Sequence, residues 1–424
     1  MSFAARRGRV LAALGESVIA QLPGARVGEA VTIRVGAAPR VPATVTRVDA
    51  ARVELRPHTS VAGVGVGDEV VTDPLATTLP LGMRLLGRAI DSAGCALDAK
   101  GSVRGRRSAV IDPPIDAGQR GPVERPFWTG VKAIDGLMTI GRGARVGIFG
   151  GPATGKSLLV EALVRGAGAD AVVVGLIGER GAEAAAWMQR ISPHATIVCS
   201  PSDRSPSERV RAAHVALAQA SQLRRRGLNV LVVLDSLARF ALAAREIALR
   251  NGEAVGRGGY PPSVFAEMTR LLERGGNVGG GSITLVATVL SDGPDDREPL
   301  SDGARAALDG HIVLSAKLAR RGLFPAIDVA ASASRTMDAA VSAGHRRSAR
   351  IVRRAIAALD ATRELRDLGF SHTDRHLERA VALQERIEAF IHDGRRTSGS
   401  AEMLAELRAL AEQLDLDGLE AVSF

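Results

Sequence analysis

The chain has 424 residues, 46% of them hydrophobic and 24% charged, with a formal net charge of +9. That length calls for two or three domains, and no apolar run of membrane-spanning length or signal-peptide hydrophobic stretch is present, so a soluble cytoplasmic protein is expected. Cys95 and Cys199 lie far apart without metal-ligand spacing, which suggests a reducing compartment, and the scattered arginines read as a solvated surface rather than a nucleic-acid groove.

From Arg9 to about Val71, short β-branched or alternating runs are separated by Gly, Pro and Asp: Arg9–Leu14, Glu16–Gln21, Ala30–Val35, Ala43–Val48 and Arg52–Arg56. This is the spacing of a small barrel or sandwich. Residues 1–100 hold one aromatic side chain, Phe3, so such a barrel has almost nothing on which to stack nucleic-acid bases. Gly87–Asp98 carries turn signals, and Ile111–Arg125, rich in Pro, Gly and Asp, reads as a linker. From Thr129 on, apolar runs at Arg145–Phe149, Ala171–Ile177, Ala195–Cys199, Val230–Leu234, Ile283–Val289 and His311–Leu314 alternate with helical stretches such as Pro206–Arg226 and Leu237–Arg250. The alternation predicts an α/β domain with a parallel sheet and helices on both faces. After about Gly344 the strands stop. Amphipathic helices are expected over Arg350–Leu368, Asp374–His392 and Ala401–Leu414, with a loop at Asp393–Gly399. The predicted order is a small β domain, barrel or sandwich, over 1–85, an α/β domain over 86–344 and a helical domain over 345–424.

The P-loop is Gly150–Ser157 (GGPATGKS), of the form G-x-x-x-x-G-K-[ST]. Gly150, Gly151, Pro152, Ala153, Thr154 and Gly155 supply a loop whose N–H groups can wrap phosphate oxygens. Lys156 places a positive charge near the β- and γ-phosphates, Ser157 offers a hydroxyl to Mg²⁺, and Leu158 continues into the helix. A strand run leads in and a helical run leads out, so an accidental Gly-rich turn is a poor account. Composition adds weight: the chain has four lysines (Lys100, Lys132, Lys156 and Lys317) against 51 arginines, and one of the four stands where a compact ammonium is needed. A nucleoside triphosphate with Mg²⁺ is the expected ligand.

Asp235 closes the apolar run Val230–Leu234, the place for a metal-side carboxylate; the plainer alternative is that Asp235 or Ser236 caps the following helix. Glu179, in Gly-Glu-Arg-Gly after another strand run, could polarise a water for attack on the γ-phosphate, with Arg180 beside it able to contact phosphate. By spacing alone, that stretch is equally a solvated turn. Tyr260 lies in Gly258–Phe265, which reads as a binding loop or as a Pro-Pro helix entry. Gly275–Ser282 is expected as a flexible loop, and Gly293–Asp302 as an acidic one. Arg335, one of many arginines, says nothing by itself.

Taken together, the stretches Thr129–Asp135, Gly141–Ser157, Leu176–Gly181, Asp235–Phe240, Gly259–Phe265, Leu308–Ser315 and Pro325–Met337, with Gly87–Asp98 and Ala380–Ile391, resemble the ATPases of type III secretion systems, flagellar or virulence-associated, which are relatives of the catalytic subunits of rotary ATP synthases. The resemblance spans roughly residues 9–395 in the family's order. It implies a RecA-like P-loop core with a small N-terminal β-barrel and a helical C-terminal domain. It implies Lys156 and Ser157 as the P-loop pair, Asp235 as the metal-side acid, Glu179 as the base that orients water, Arg180 as a phosphate contact and Arg335 as the arginine that reaches a neighbouring subunit's site. A homohexamer, stator and central stalk proteins of the export apparatus, secretion chaperones and exported proteins follow from the resemblance as partners, at the inner face of the membrane.

Three departures accompany it. About eight residues precede the first predicted strand, where the family usually carries a longer, stator-binding segment. Ala182 and Ala238 replace residues common after Gly-Glu-Arg-Gly and within the Asp-Ser-Leu motif. The stretch Arg363–His376 follows the pattern poorly. The competing readings are an RNA-translocating hexamer resembling the terminator Rho, a rotary ATP synthase subunit and a non-catalytic nucleotide-stabilised scaffold. The aromatic-poor N-terminus opposes the first, the absence of an acidic run after Gly344 the second, and Glu179 the third.

Overall fold

A computed structural model describes residues 5–36, 40–50, 52–111, 113–291, 298–367, 374–392 and 400–415. Part of the poorly matching stretch Arg363–His376, the predicted loop Asp393–Gly399 and most of the acidic stretch before Glu298 lie outside the described residues, as does Phe3. The chain packs as two compact units: Met1–Asp116 with Ala171–Arg274, and Ala117–Asp170 with Gly275–Phe424.

The first unit begins with six strands, Arg7–Leu14, Ser17–Gln21, Ala30–Arg34, Val41–Asp49, Arg52–Pro57 and Glu69–Thr72, closed into a barrel. The last strand pairs antiparallel with the first, so no sheet edge is left open. Closure decides for the barrel over the sandwich. Alternation aims Val18, Ala20, Val31, Ile33, Ala43, Val45, Val53, Leu55 and Val70 inward, where they form one apolar core. Register shifts at Val10/Ala12 and Val45/Arg47 bend the strands enough to close the cylinder. Gly8 is required at its position, because a Cβ there would lie 1.8 Å from the Gln21 carbonyl oxygen.

The same unit carries four parallel strands in the order Arg88–Ile90, Ala195–Ser200, Ala171–Ile177 and Asn229–Asp235. The last three are almost wholly buried, which explains their continuous apolar composition. Helix Pro206–Arg224 starts at a capping box: the Ser205 hydroxyl accepts from the Glu208 N–H, and Glu208 accepts from the Ser205 N–H.

In the second unit the strand Arg145–Gly150 lies between Gly281–Leu290 and Gly310–Leu314, parallel to both. The expected all-parallel sheet is corrected at its margins. Ile327–Ser334 runs antiparallel to Gly310–Leu314, and the supposed flexible loop Gly275–Ser282 contains the strand Gly276–Val278, folded back antiparallel on Gly281–Leu290. The supposed linker contributes Arg120–Gly121, which pairs with Gly276–Val278. After the short helix Met337–Ala340, the described residues form the helices Ala343–Asp367, Arg375–Ala382, Gln384–His392 and Ser400–Leu414. The single helix expected over Asp374–His392 is two, because Leu383 leaves helical geometry at φ −104°, ψ 7°. The second piece then turns Ile387, Phe390 and Ile391 into the interior, with the Phe390 ring 2.8 Å from where a Cβ on Gly136 would lie. No helix among the described residues is long and apolar enough to cross a membrane.

Candidate active site

The P-loop sits in the second unit, between the C-terminal end of Arg145–Gly150 and the helix Lys156–Gly166. Its turn places two residues in left-handed backbone, Gly155 at φ 86°, which glycine adopts freely, and Ala153 at φ 58°, which an L side chain adopts only at a cost. Gly150 cannot carry a side chain, since a Cβ would meet the Thr154 hydroxyl at 2.8 Å and Leu314 Cβ at 2.9 Å. The Thr154 hydroxyl, buried, donates to the Gly151 carbonyl at 2.9 Å and braces the loop from within. Lys156 Nζ donates to the carbonyls of Gly150 (2.5 Å) and Gly151 (2.7 Å), which holds the ammonium across the loop mouth. Ser157 and Leu158 are exposed at the helix start. A cradle of N–H groups at a helix N-terminus, one cation and one accessible hydroxyl is a donor set that fits a Mg²⁺-bound triphosphate.

Glu179 and Asp235 belong to the first unit, each at the C-terminal end of its strand or just beyond. Val174 pairs with Val233 and Leu176 with Asp235, so adjacent strands deliver both carboxylates to one edge. The helix cap after Asp235 is Ser236, whose hydroxyl accepts the Arg239 N–H, so capping does not account for Asp235. Glu179 is largely buried, its side chain 13% exposed, and accepts from Arg239 Nε at 3.0 Å. Its carboxyl is pushed up to about 7, first by burial, then by the neighbouring Asp235 charge; Arg239 opposes the rise and Glu183 adds to it. A carboxyl poised near neutrality is the state a general base requires. Arg180 is exposed at the start of the helix Gly181–Gln189.

Arg335 lies in the second unit, at the far end of the P-loop strand from the P-loop. Ser334 pairs with Gly310, which pairs with Val146 at the strand's start, whereas Gly150 stands at its finish. From Arg145 to Gly150 the strand rises ~16 Å. The Arg335 side chain is exposed.

Two functional candidates escaped the sequence reading. Arg239 lies inside the quoted stretch Asp235–Phe240, but only the fold turns it onto Glu179; its Cδ also lies 3.0 Å from where a Cβ on Gly178 would be. Phe324 is 38% exposed in a chain with 3% aromatic residues, and its ring lies 3.0 Å from where a Cβ on Gly155 would be. No sequence signal marks an exposed phenylalanine beside a P-loop. Tyr260, by contrast, is buried and packs edge-on against Phe265, and Pro262 opens the helix Pro262–Leu272. The helix-entry reading accounts for that stretch.

Comparisons with known proteins converge. The ATP synthase alpha/beta family nucleotide-binding domain matches residues 130–334. The chain is 42% identical over 380 residues to a flagellum-specific ATP synthase of Pseudomonas aeruginosa, covering 87% of this chain and 84% of that protein. It is 44% identical over 360 residues to a type 3 secretion system ATPase of Sinorhizobium fredii, covering 83% and 79%. The assembled ATPase EscN of the enteropathogenic E. coli type III secretion system matches with a TM-score of 0.87 at 35% identity, over 95% of this chain and all of that one. EscN has also been solved in complex with its central stalk EscO, and that structure matches with a TM-score of 0.86 at 34% identity over 95% of this chain.

Proposed function

Because the chain belongs to the family of flagellum-specific and type 3 secretion ATPases, we propose that it works as a ring in which each ATP site is completed by a neighbouring subunit, powering protein export. It is an ATP-hydrolysing enzyme. Its parts divide as N-terminal barrel (1–85), RecA-like core (86–344) and helical C-terminal region (345–424).

The P-loop N–H groups and Lys156 hold the β- and γ-phosphates. Ser157 and Asp235 would hold Mg²⁺, whose contribution when bound is to neutralise charge on those phosphates. Glu179 orients a water and takes its proton as the water attacks the γ-phosphorus and the bond to the β-phosphate oxygen breaks, giving ADP and phosphate. Arg239 keeps Glu179 oriented, and Arg180 contacts phosphate. Phe324, beside Gly155, offers its face to the base. Arg335 stabilises the transferring phosphate in the next subunit's site.

The observation that carries the ring reading is the separation along one strand. Arg335 and the P-loop of the same chain stand at opposite ends of Arg145–Gly150, farther apart than an arginine side chain reaches. The solved EscN assembly supports the oligomer, and its complex with EscO supports a central stalk partner. Stator proteins, chaperones and exported proteins complete the proposed set, with the ring acting at the cytoplasmic face of the membrane. The test mixes Lys156→Ala with Arg335→Ala, each inactive alone. Composite sites predict that about a quarter of the interfaces in a random mixture pair an intact P-loop with an intact arginine, and activity returns in proportion. No recovery would mean that each chain hydrolyses alone.

A further inference from the structure

The backbone that carries Arg335 is held by a set of polar contacts that the reaction as described leaves unused. The Arg335 N–H donates to the Asp309 carbonyl oxygen at 2.9 Å. The Asp309 carboxylate is gripped by a single residue, Arg145, through its N–H (2.9 Å), Nε (3.0 Å) and second guanidinium nitrogen (3.0 Å). Both side chains are mostly shielded, at 19% and 26% exposure. On either side of Arg335, the Ser334 hydroxyl donates to the Thr139 carbonyl (2.8 Å) and the Thr336 hydroxyl accepts the Gly141 N–H (3.0 Å). Arg145 is also the first residue of the strand that ends in the P-loop.

We infer that Arg145 and Asp309 are positioning residues for Arg335, linking the P-loop strand of one subunit to the arginine that the same subunit presents to its neighbour. The inference rests on the reading of Arg335 given above. A fork of two parallel charge-assisted hydrogen bonds fixes direction as well as distance, which one point charge would not do. A shift of the P-loop strand on nucleotide binding or release therefore moves Asp309, and with it the backbone from which Arg335 projects. The pair acts on the neighbour's chemistry and not on binding at its own P-loop.

The experiment uses full-length Asp309→Asn and Arg145→Lys. Asp309→Asn should lower kcat roughly tenfold with the KM for ATP changed less than twofold, and Arg145→Lys should fall between it and wild type. Mixed with Lys156→Ala, which carries an intact Arg335, Asp309→Asn should recover activity; mixed with Arg335→Ala it should not. Recovery with both partners, or with neither while the Lys156→Ala and Arg335→Ala control mixture recovers, overturns the inference and leaves the composite site standing. Failure of that control mixture instead removes the composite site itself. If Asp309→Asn does not fold, Arg145→Lys carries the same mixing test. Loss of ATP binding in a folded variant would place the pair in the binding of its own nucleotide and also overturn the inference.

Discussion

Glu179 is the proposed base, and its surroundings make its proton measurable. With the carboxyl pushed up to about 7, the base is protonated below that pH, so kcat should rise as pH increases through 7 and level off above it. Arg239 is the one neighbour that opposes the rise, so Arg239→Ala should move this limb to higher pH as well as lower the plateau; an unmoved limb in the pH–rate profile would separate Arg239 from Glu179. Glu179→Gln should reduce hydrolysis by about 10²-fold or more while leaving ATP affinity near wild type, as measured by equilibrium titration. Phe324 makes a different prediction. Phe324→Ala should raise the KM for ATP several-fold with little change in kcat, and Phe324→Tyr should keep both, because stacking needs only an aromatic face.

Among elements, the short strand Arg88–Ile90 at the margin of the first unit's parallel sheet pairs with Ala195–Ser200 and carries an ion pair at its first residue. Asp98 accepts from Arg88 Nε (2.7 Å) and its second nitrogen (3.1 Å), and from the N–H groups of Ala89 and Lys100. Burial works to raise the Asp98 carboxyl, but these donors together hold it well below the usual carboxylate range. The sign follows: the contribution is complete above the unfolded value of about 4 and is lost as pH falls toward the depressed folded value. Arg88→Ala should cost about 3 kcal/mol at pH 7, with the penalty shrinking in acid denaturation series. The contrast between strands explains what was legible. Ala171–Ile177 is β-branched and aliphatic apart from Gly175 and can be read directly, whereas Gly276–Val278 has a single β-branched residue and Ile327–Ser334 runs out after Val329 into Ala and Ser. Those two are strands because Gly281–Leu290 and Gly310–Leu314 offer them hydrogen-bonding edges, and because Arg353 donates to the Ser332 carbonyl at 2.8 Å.

For the molecule as a whole, the proposed composite site, with Arg335 and the P-loop at opposite ends of one strand, would make assembly part of catalysis. Specific ATPase activity should rise with protein concentration and saturate where the ring is populated, and light scattering should report the same midpoint. Flat specific activity over a hundredfold dilution would contradict this. The interior of the barrel is filled by Val, Ile, Leu and Ala, and its described residues include no Phe, Tyr or Trp on which a base could stack.

The amino-acid sequence by itself determined the P-loop, since G-x-x-x-x-G-K-[ST] between a strand and a helix is a local pattern whose geometry comes from adjacent residues. It also determined the order of β domain, α/β core and helices, because hydrophobic period is a short-range property, whereas closure of the first strands into a barrel needed the tertiary pairing. The pairing of Glu179 with Arg239, the poised carboxyl beside Asp235, the aromatic ring against Gly155 and the clamp of Arg145 on Asp309 were decided only by tertiary structure. Each joins residues from 56 to 169 positions apart, and desolvation and charge–charge coupling depend on distance in space, to which spacing along the chain is blind.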